Sequence, residues 1–535
     1  MFRAKYAIAF TLALVMAFGA VGVASAAVPS DSAKLRKAVT VGGILEHERE
    51  LQAIADDNDG TRASGTPGYT ASADYVAGQL EDAGYVVRRQ EFDYELFIEN
   101  TDPVLDPTDP DLPAYIPGED FTTMDYSGSG NVEAELQAVG GIVIPSSGGS
   151  TSGCSEDDFA DFEAGNIALI QRGTCDFRVK VENAEAAGAV GVVIFNEGNE
   201  DPDDDRIGLI NGTLDPPQVD IPVVGTTFAV GEELYNLLQE GPVTLNLAVD
   251  AKVETRTTEN VIADTPTGRA DRTVVVGAHL DSVQEGPGIN DNGSGTATDL
   301  EVALQMSELG IKPRNKVRFA FWGAEESGLI GSQYYVDSLT KRQLKNIAVN
   351  LNFDMVGSPN YVRFVYDGDA SDTDSLGSTG SGVVEDVFND YFASQGLATE
   401  PTAFDGRSDY DAFVSAGIPA GGLFTGAEDI KTAREARIYG GVAGVAYDPC
   451  YHEACDSLTP VADGADPATY RAIREAYSGK LVGNLNTRAL REMSDAVAHG
   501  TVTFAQTTSA VNGTDKGSGT ASTTAYKYKG SLLQK

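Results

Sequence analysis

The chain reads as an α/β protein with a mainly parallel central sheet, helices on both faces, and an inserted β-rich domain. Three observations lead there. Beyond about residue 254, apolar runs of strand length alternate with helical runs, the rhythm of a parallel sheet covered on both sides. Between about residues 131 and 250 short strands dominate instead, which marks an insert. The length of 535 residues exceeds one ordinary core, so two or three domains are expected.

Each element has its own signal. Ala71 to Ala83 carries Ala71, Tyr75, Val76 and Leu80 at helical spacing and is closed by Gly84. Tyr85 to Phe92 then reads as a strand. Asn100 to Gly130, rich in Pro, Asp and Gly, reads as a linker. Inside the insert, Val132–Val139, Ile167–Gln171, Val190–Phe195 and Val223–Thr226 read as strands, with one helix over Val179–Ala187. After it, Thr273–Gly277 is a buried strand, Thr296–Leu309 a helix ended by Gly310, and Val317–Trp322, Ile347–Phe353 and Gly421–Phe424 further strands. The domain division is residues 31–125 with 253–505, an insert at 131–250, and a Ser/Thr/Gly-rich tail at 509–535 expected to be flexible.

Residues 1–26 read as a signal peptide. Arg3 and Lys5 precede an apolar run from Ala7 to Phe18, and Ala24-Ser25-Ala26 is a small-residue cleavage pattern. The expectation is an exported, extracellular protein. Four cysteines agree with export. They allow three pairings, and proximity favours Cys154 with Cys175 and Cys450 with Cys455. The net charge of -42 excludes a polyanion-binding role, because nucleic acid demands a basic face. Acidic loops such as Asp201–Asp205 admit a calcium reading, but a solvated, solubilising surface is the stronger one. No membrane partner is expected, and oligomeric state is not legible.

The chemistry gathers at strand ends. His279 follows the first buried strand, with Asp281 two residues on to accept its other ring N–H. The Gly-rich run Gly288–Gly295 lacks a phosphate-loop lysine, and its Asp291 would repel phosphate but suits a metal. Glu325 and Glu326 follow a second strand, and Asp354 a third. His452 and Tyr451 sit between Cys450 and Cys455 in a loop that a disulfide could close. Nitrogen and carboxylate donors without cysteine suit catalytic zinc. Five ligands are too many for one open zinc site but suit two ions sharing a bridging carboxylate.

On these runs, with Asp405-Gly406-Arg407-Ser408-Asp409 and Asp448 to Ser457, the chain resembles the secreted bacterial double-zinc aminopeptidases of leucyl type. The likeness spans about residues 45–95 and 255–500. It implies the zinc-peptidase fold and two zinc ions per chain. His279 and Asp354 would bind one ion, Glu326 and His452 the other, and Asp291 would bridge them. Glu325 would be the general base, Tyr451 would stabilise the oxyanion, and Arg407 would hold substrate near its free amino end. A cis peptide between Asp291 and Asn292 is implied as well. The substrate would be the N-terminus of a peptide or protein, with a large apolar first residue such as leucine. Arg172 to Phe177 and Ala184 to Asn196 make the insert similar to a protease-associated domain. Three rivals are weaker: a carboxypeptidase lacks the basic cluster it would need, a glutaminyl cyclase would not need five ligands, and a decayed receptor site would not keep them.

Overall fold

The computed structural model describes residues 30–512, apart from 111, 147, 202, 203, 211, 374 and 460–463. Residues 1–26, expected to be a signal peptide, the centre of the acidic run at 201–205 and the chain after Asn512 lie outside the described residues.

One continuous sheet runs through the molecule. Its order is Glu400–Thr402, Phe364–Tyr366, Ala420–Phe424, Ile347–Phe353, Arg269–His279, Asn315–Trp322, Thr244–Asp264, Gly130–Ala138, Ile167–Gln171, Gly191–Phe195, Val223–Thr226 and Phe121–Thr123. Val86–Asp109 pairs with Thr244–Asp264 off that path. The centre is parallel, as the apolar runs imply: Arg269–His279 lies between Asn315–Trp322 and Ile347–Phe353, and Ala420–Phe424 joins in parallel beyond. Val274 and Val276 face a core that includes Leu300, Phe388 and Val497, while Val275 faces Tyr335 and Phe413 on the other side. Both faces of Arg269–His279 are therefore dry, and period-2 alternation disappears from its Thr273–Ala278 run.

The insert is a smaller α/β layer, more helical than the sequence pattern implies. Its strands Gly130–Ala138, Ile167–Gln171, Gly191–Phe195 and Val223–Thr226 are mutually parallel. Helix Phe177–Ala186 packs on one face. Helix Phe228–Glu240, not foreseen, packs on the other. Gly231 obscured it, since a glycine in a first turn argues against a helix; here it is needed because a Cβ would lie 2.0 Å from the Phe195 ring.

Two further expectations change. Residues 100–109 are not linker but the second half of the strand Val86–Asp109, paired in register with Asp250 to Thr244. Pro103 and Pro107 are tolerated because the strand has a single partner and its register shifts there, so a missing N–H breaks no ladder. The tail at 509–535 begins as a helical turn, Ser509–Asn512, with Val511 buried. Both expected disulfides, Cys154–Cys175 and Cys450–Cys455, are formed.

Candidate active site

Three adjacent parallel strands deliver the site from their C-terminal ends, where an open α/β sheet leaves a crevice. His279 ends Arg269–His279, Glu325 and Glu326 follow Asn315–Trp322, and Asp354 follows Ile347–Phe353. Asp291 comes from the wide turn Ile289–Ser294 that opens helix Gly295–Glu308, and the peptide bond after it is cis. His452 comes from the disulfide loop.

These side chains converge. His279 Nε2 lies 3.1 Å from Asp291 Oδ1, 3.3 Å from Asp354 Oδ1 and 3.9 Å from Glu325 Oε2. His452 Nε2 lies 3.2 Å from Asp291 Oδ2 and 3.2 Å from Glu326 Oε2. The two oxygens of Asp291 thus face different histidines. On its other edge His279 Nδ1 lies 3.1 Å from the Asp281 carbonyl and 3.6 Å from its carboxylate. Asp354 is braced by Ser408, whose hydroxyl donates at 2.7 Å and accepts from Asn352 at 2.8 Å. Arg407 donates to the Tyr451 hydroxyl at 3.3 Å and pairs with Glu428 at 2.8 Å. The Tyr451 ring stacks on His452 with centroids 3.8 Å apart.

The electrostatics call for cations. Four carboxylates, Asp291, Glu325, Glu326 and Asp354, are crowded into a nearly dry space. Burial pushes the Glu325 carboxyl well up, helped by Glu326, Asp409 and Asp354 and opposed by His279. Burial raises Glu326 too, against the pull of His452. Burial alone would lower His279, but Glu325 and Asp354 hold its proton and raise it. For Asp291 burial works upward, and hydrogen bonds from both histidines reverse it to well below the usual range. Glu326 Oε1 is buried without a hydrogen-bond partner. Imidazole and carboxylate donors, an orphaned oxygen and an excess of negative charge fit divalent ions of the zinc type. The groupings His279–Asp291–Asp354 and Asp291–Glu326–His452 each converge within 4.8 Å.

A cavity of about 550 Å³ opens from this cluster. Met355, Tyr366 and Phe424 give it an apolar side, and Leu96, Phe97 and Tyr126 line it as well. Asp367, Asp369 and Glu385 form another acidic group that does not line this cavity and holds no imidazole. The remaining histidines are structural: His47 bonds Tyr75 at 2.6 Å, and His499 bonds Ser32 at 2.9 Å and stacks on Tyr391.

Asp448 and Asp456 lie in the run Asp448–Ser457 that carries the resemblance, but the sequence assigned them no role. Asp456 accepts the backbone N–H of Asn290 and of Asp291, at 2.8 and 2.9 Å. Asp448 accepts from the Asn290 amide at 2.6 Å, and Asn484 donates to both aspartates. Burial raises Asp448 to about 6. This buried network joins the His452 loop to the turn that carries Asp291. The role of Asp448 and Asp456 is visible only from their hydrogen-bond partners in space.

With the geometry in place, comparison with known proteins places the chain. The model of peptidase family M28 matches residues 260–477, and that of the PA domain matches residues 132–234. An aminopeptidase of Pseudomonas aeruginosa is 46% identical over 428 residues, covering 80% of this chain and 78% of that protein. Leucine aminopeptidase 2 of Trichophyton equinum is 38% identical over 447 residues, covering 83% and 84%. The solved structure of an aminopeptidase from Aneurinibacillus sp. strain AM-1 superposes with a TM-score of 0.66 at 26% identity, covering 88% of this chain and 95% of that one. The chain belongs to peptidase family M28 and is an aminopeptidase of that family, with a PA domain inserted in it.

Proposed function

We propose that the protein removes the N-terminal residue, preferably a large apolar one such as leucine, from peptides, using two zinc ions and Glu325 as general base. The observation that carries this reading is Asp291: its two oxygens lie 3.1 and 3.2 Å from different histidines, which suits a carboxylate bridging two ions. His279 and Asp354 would hold one zinc, Glu326 and His452 the other. When bound, zinc acidifies water and polarises the scissile carbonyl.

The chain's own groups do the rest. Glu325 accepts the proton of the attacking water and returns it to the leaving amine. Glu325 Oε2 lies 3.9 Å from His279 Nε2, and Glu325 converges with His279 and Glu326 but stands outside the two trios that share Asp291, which suits that role. Tyr451 donates its O–H to the carbonyl oxygen as negative charge develops there. Arg407 donates to the phenol oxygen, which leaves the phenol proton free to point at substrate. Arg407 would also stand near the substrate's amino end. Asp281 and Ser408 hold His279 and Asp354 in orientation. Met355, Tyr366 and Phe424 offer an apolar wall for the first side chain, and the name of the Trichophyton relative points to leucine as well.

The insert at 131–250 and the peptidase body at 31–125 with 253–505 would act as separate domains. The protein would work outside the cell: two disulfides suit an oxidising compartment, and no described helix is long and apolar enough to cross a membrane. The test is metal analysis together with a substrate panel. Two zinc ions per chain, activity abolished by a chelator, and hydrolysis of leucine p-nitroanilide but not of its N-blocked form are expected. One ion per fully active chain, or cleavage of the blocked substrate, would overturn the reading.

A further inference from the structure

The segment between the helices Val41–Asp56 and Pro67–Asp82 holds a charged side chain that the mechanism above does not use. Arg62 is fully buried. Its guanidinium spends its donors on three backbone carbonyls: Nε on Pro287 at 2.8 Å, Nη2 on Gly288 at 2.7 Å, and Nη1 on Leu280. Its own N–H reaches Ser282 Oγ at 3.0 Å, and neighbouring Thr61 Oγ1 donates to Val283 O at 2.8 Å. All five acceptors lie in the stretch between His279 and Asp291.

That stretch has little freedom to hold itself. Gly288 has φ +57°, and a Cβ on it would sit 2.3 Å from the Asp291 carbonyl. Gly286 packs against the His452 loop, where a Cβ would lie 2.6 Å from the Glu453 carbonyl. Ile289 N–H donates to Asp456 O at 3.1 Å, so the stretch also meets the disulfide loop directly. One guanidinium therefore fixes the residue after His279, the two residues before the Asp291 turn and, through Gly286, the seat of the His452 loop. A buried Arg making bonds of fixed fork geometry to a loop is a rigid strut, which a lysine with one point charge cannot reproduce.

We infer that Arg62 is a positioning residue of the metal centre, setting the separation between His279, Asp291 and His452 so that both ions can be held at once. The inference rests on the assignment of those three residues as zinc ligands. The test uses the full chain stripped of metal, with zinc affinity read by competition with a chromophoric chelator and thermal unfolding measured in parallel. Arg62→Lys should lower zinc affinity about 10- to 100-fold, the scale on which residues that orient ligands act, while the metal-free unfolding temperature stays within a few degrees of the parent. Unchanged affinity in Arg62→Lys, or a fall in unfolding temperature with affinity unchanged in the folded protein, would overturn it. Asp291→Asn separates the two readings. Loss of zinc in Asp291→Asn with none in Arg62→Lys rejects the strut alone, and full zinc affinity in Asp291→Asn rejects the ligand assignment and the strut together. Should Arg62→Lys not fold, Thr61→Val removes the hydroxyl's two bonds to the same stretch, to Ser282 and Val283; a several-fold loss of affinity there supports the inference, and none overturns it.

Discussion

Replacing both Cys450 and Cys455 with serine tests how the His452 loop is held. The sequence separation is 5, and closing so short a loop removes roughly 2 kcal/mol of chain entropy from the open state. If all of that ordering were transferred to the zinc-binding step, affinity at the His452 side would fall about thirty-fold. Thirty-fold is a ceiling, because the loop keeps other anchors. Cys450 N–H donates to Asp448 at 2.9 Å, and Asp456 is held by Asn290 and Asp291. Within the loop His452 has φ +58°, a left-handed conformation costing a side-chain-bearing residue about 1–2 kcal/mol, so a released loop drifts away from it. The Tyr451 ring moves with it, since it stacks on His452. The expected result is a five- to thirty-fold loss of zinc affinity and a lower kcat on leucine p-nitroanilide, with little change in the unfolding temperature of the metal-free protein. Chelator competition and steady-state kinetics on the same preparation read both. A lower unfolding temperature with unchanged zinc affinity and kcat would refute the argument and leave the bridge as a protection against proteolysis.

Three other outcomes follow from the geometry. Glu325→Gln should keep both metals while kcat falls on the order of a hundredfold to ten-thousandfold, whereas Glu326→Gln should weaken zinc binding; equal metal loss in both would erase the division of labour between them. Joining Glu99 to Ala251, which are register partners, through a two-residue turn deletes residues 100–250, that is the insert together with the outer half of the ribbon and the segment to residue 125, and small aminoacyl substrates should still be hydrolysed; failure to fold would make the deleted segment part of the core. Burial, with Arg36 nearby, pushes His499 down to about 4. The folded state then binds fewer protons than the unfolded one between pH 6.5 and 4, so its stability is present above pH 6.5 and lost below. At pH 5 the loss is about 2 kcal/mol. Urea unfolding of metal-free His499→Gln should lose that much less than the parent between pH 7 and pH 5, and equal losses would refute it.

The catalytic body was legible because its signals are local. A buried parallel strand is apolar on both faces where no polar group is needed, so Val274–Val276 and Phe319–Trp322 stand out, and the polar residue that ends each run stands out against them, whereas Ile347–Phe353 carries the buried Asn350 and Asn352 among its apolar residues. His279, Glu325, Glu326 and Asp354 were found that way, and the cysteine spacing framed His452. What the sequence hid depends on distant partners. Residues 100–109 looked like linker because Pro and Asp dominate them; only pairing with Asp250 to Thr244 turns them into a strand. The helix Phe228–Glu240 was concealed by Gly231, whose reason is the Phe195 ring. Arg62 is an ordinary charged residue in a chain rich in them, and Asp448 and Asp456, though inside the run Asp448–Ser457, had no role legible from their neighbours. Their roles arise where bonds cross 36 to more than 200 residues of chain, from Asp448 to Asn484 and from Arg62 to the carbonyls before Asp291. The proposed ligands are thus written in residue type and strand position. The groups around them, Arg62, Asp448 and Asp456, are buried and must find partners once the fold has taken them out of water, and only the tertiary structure shows which partners those are.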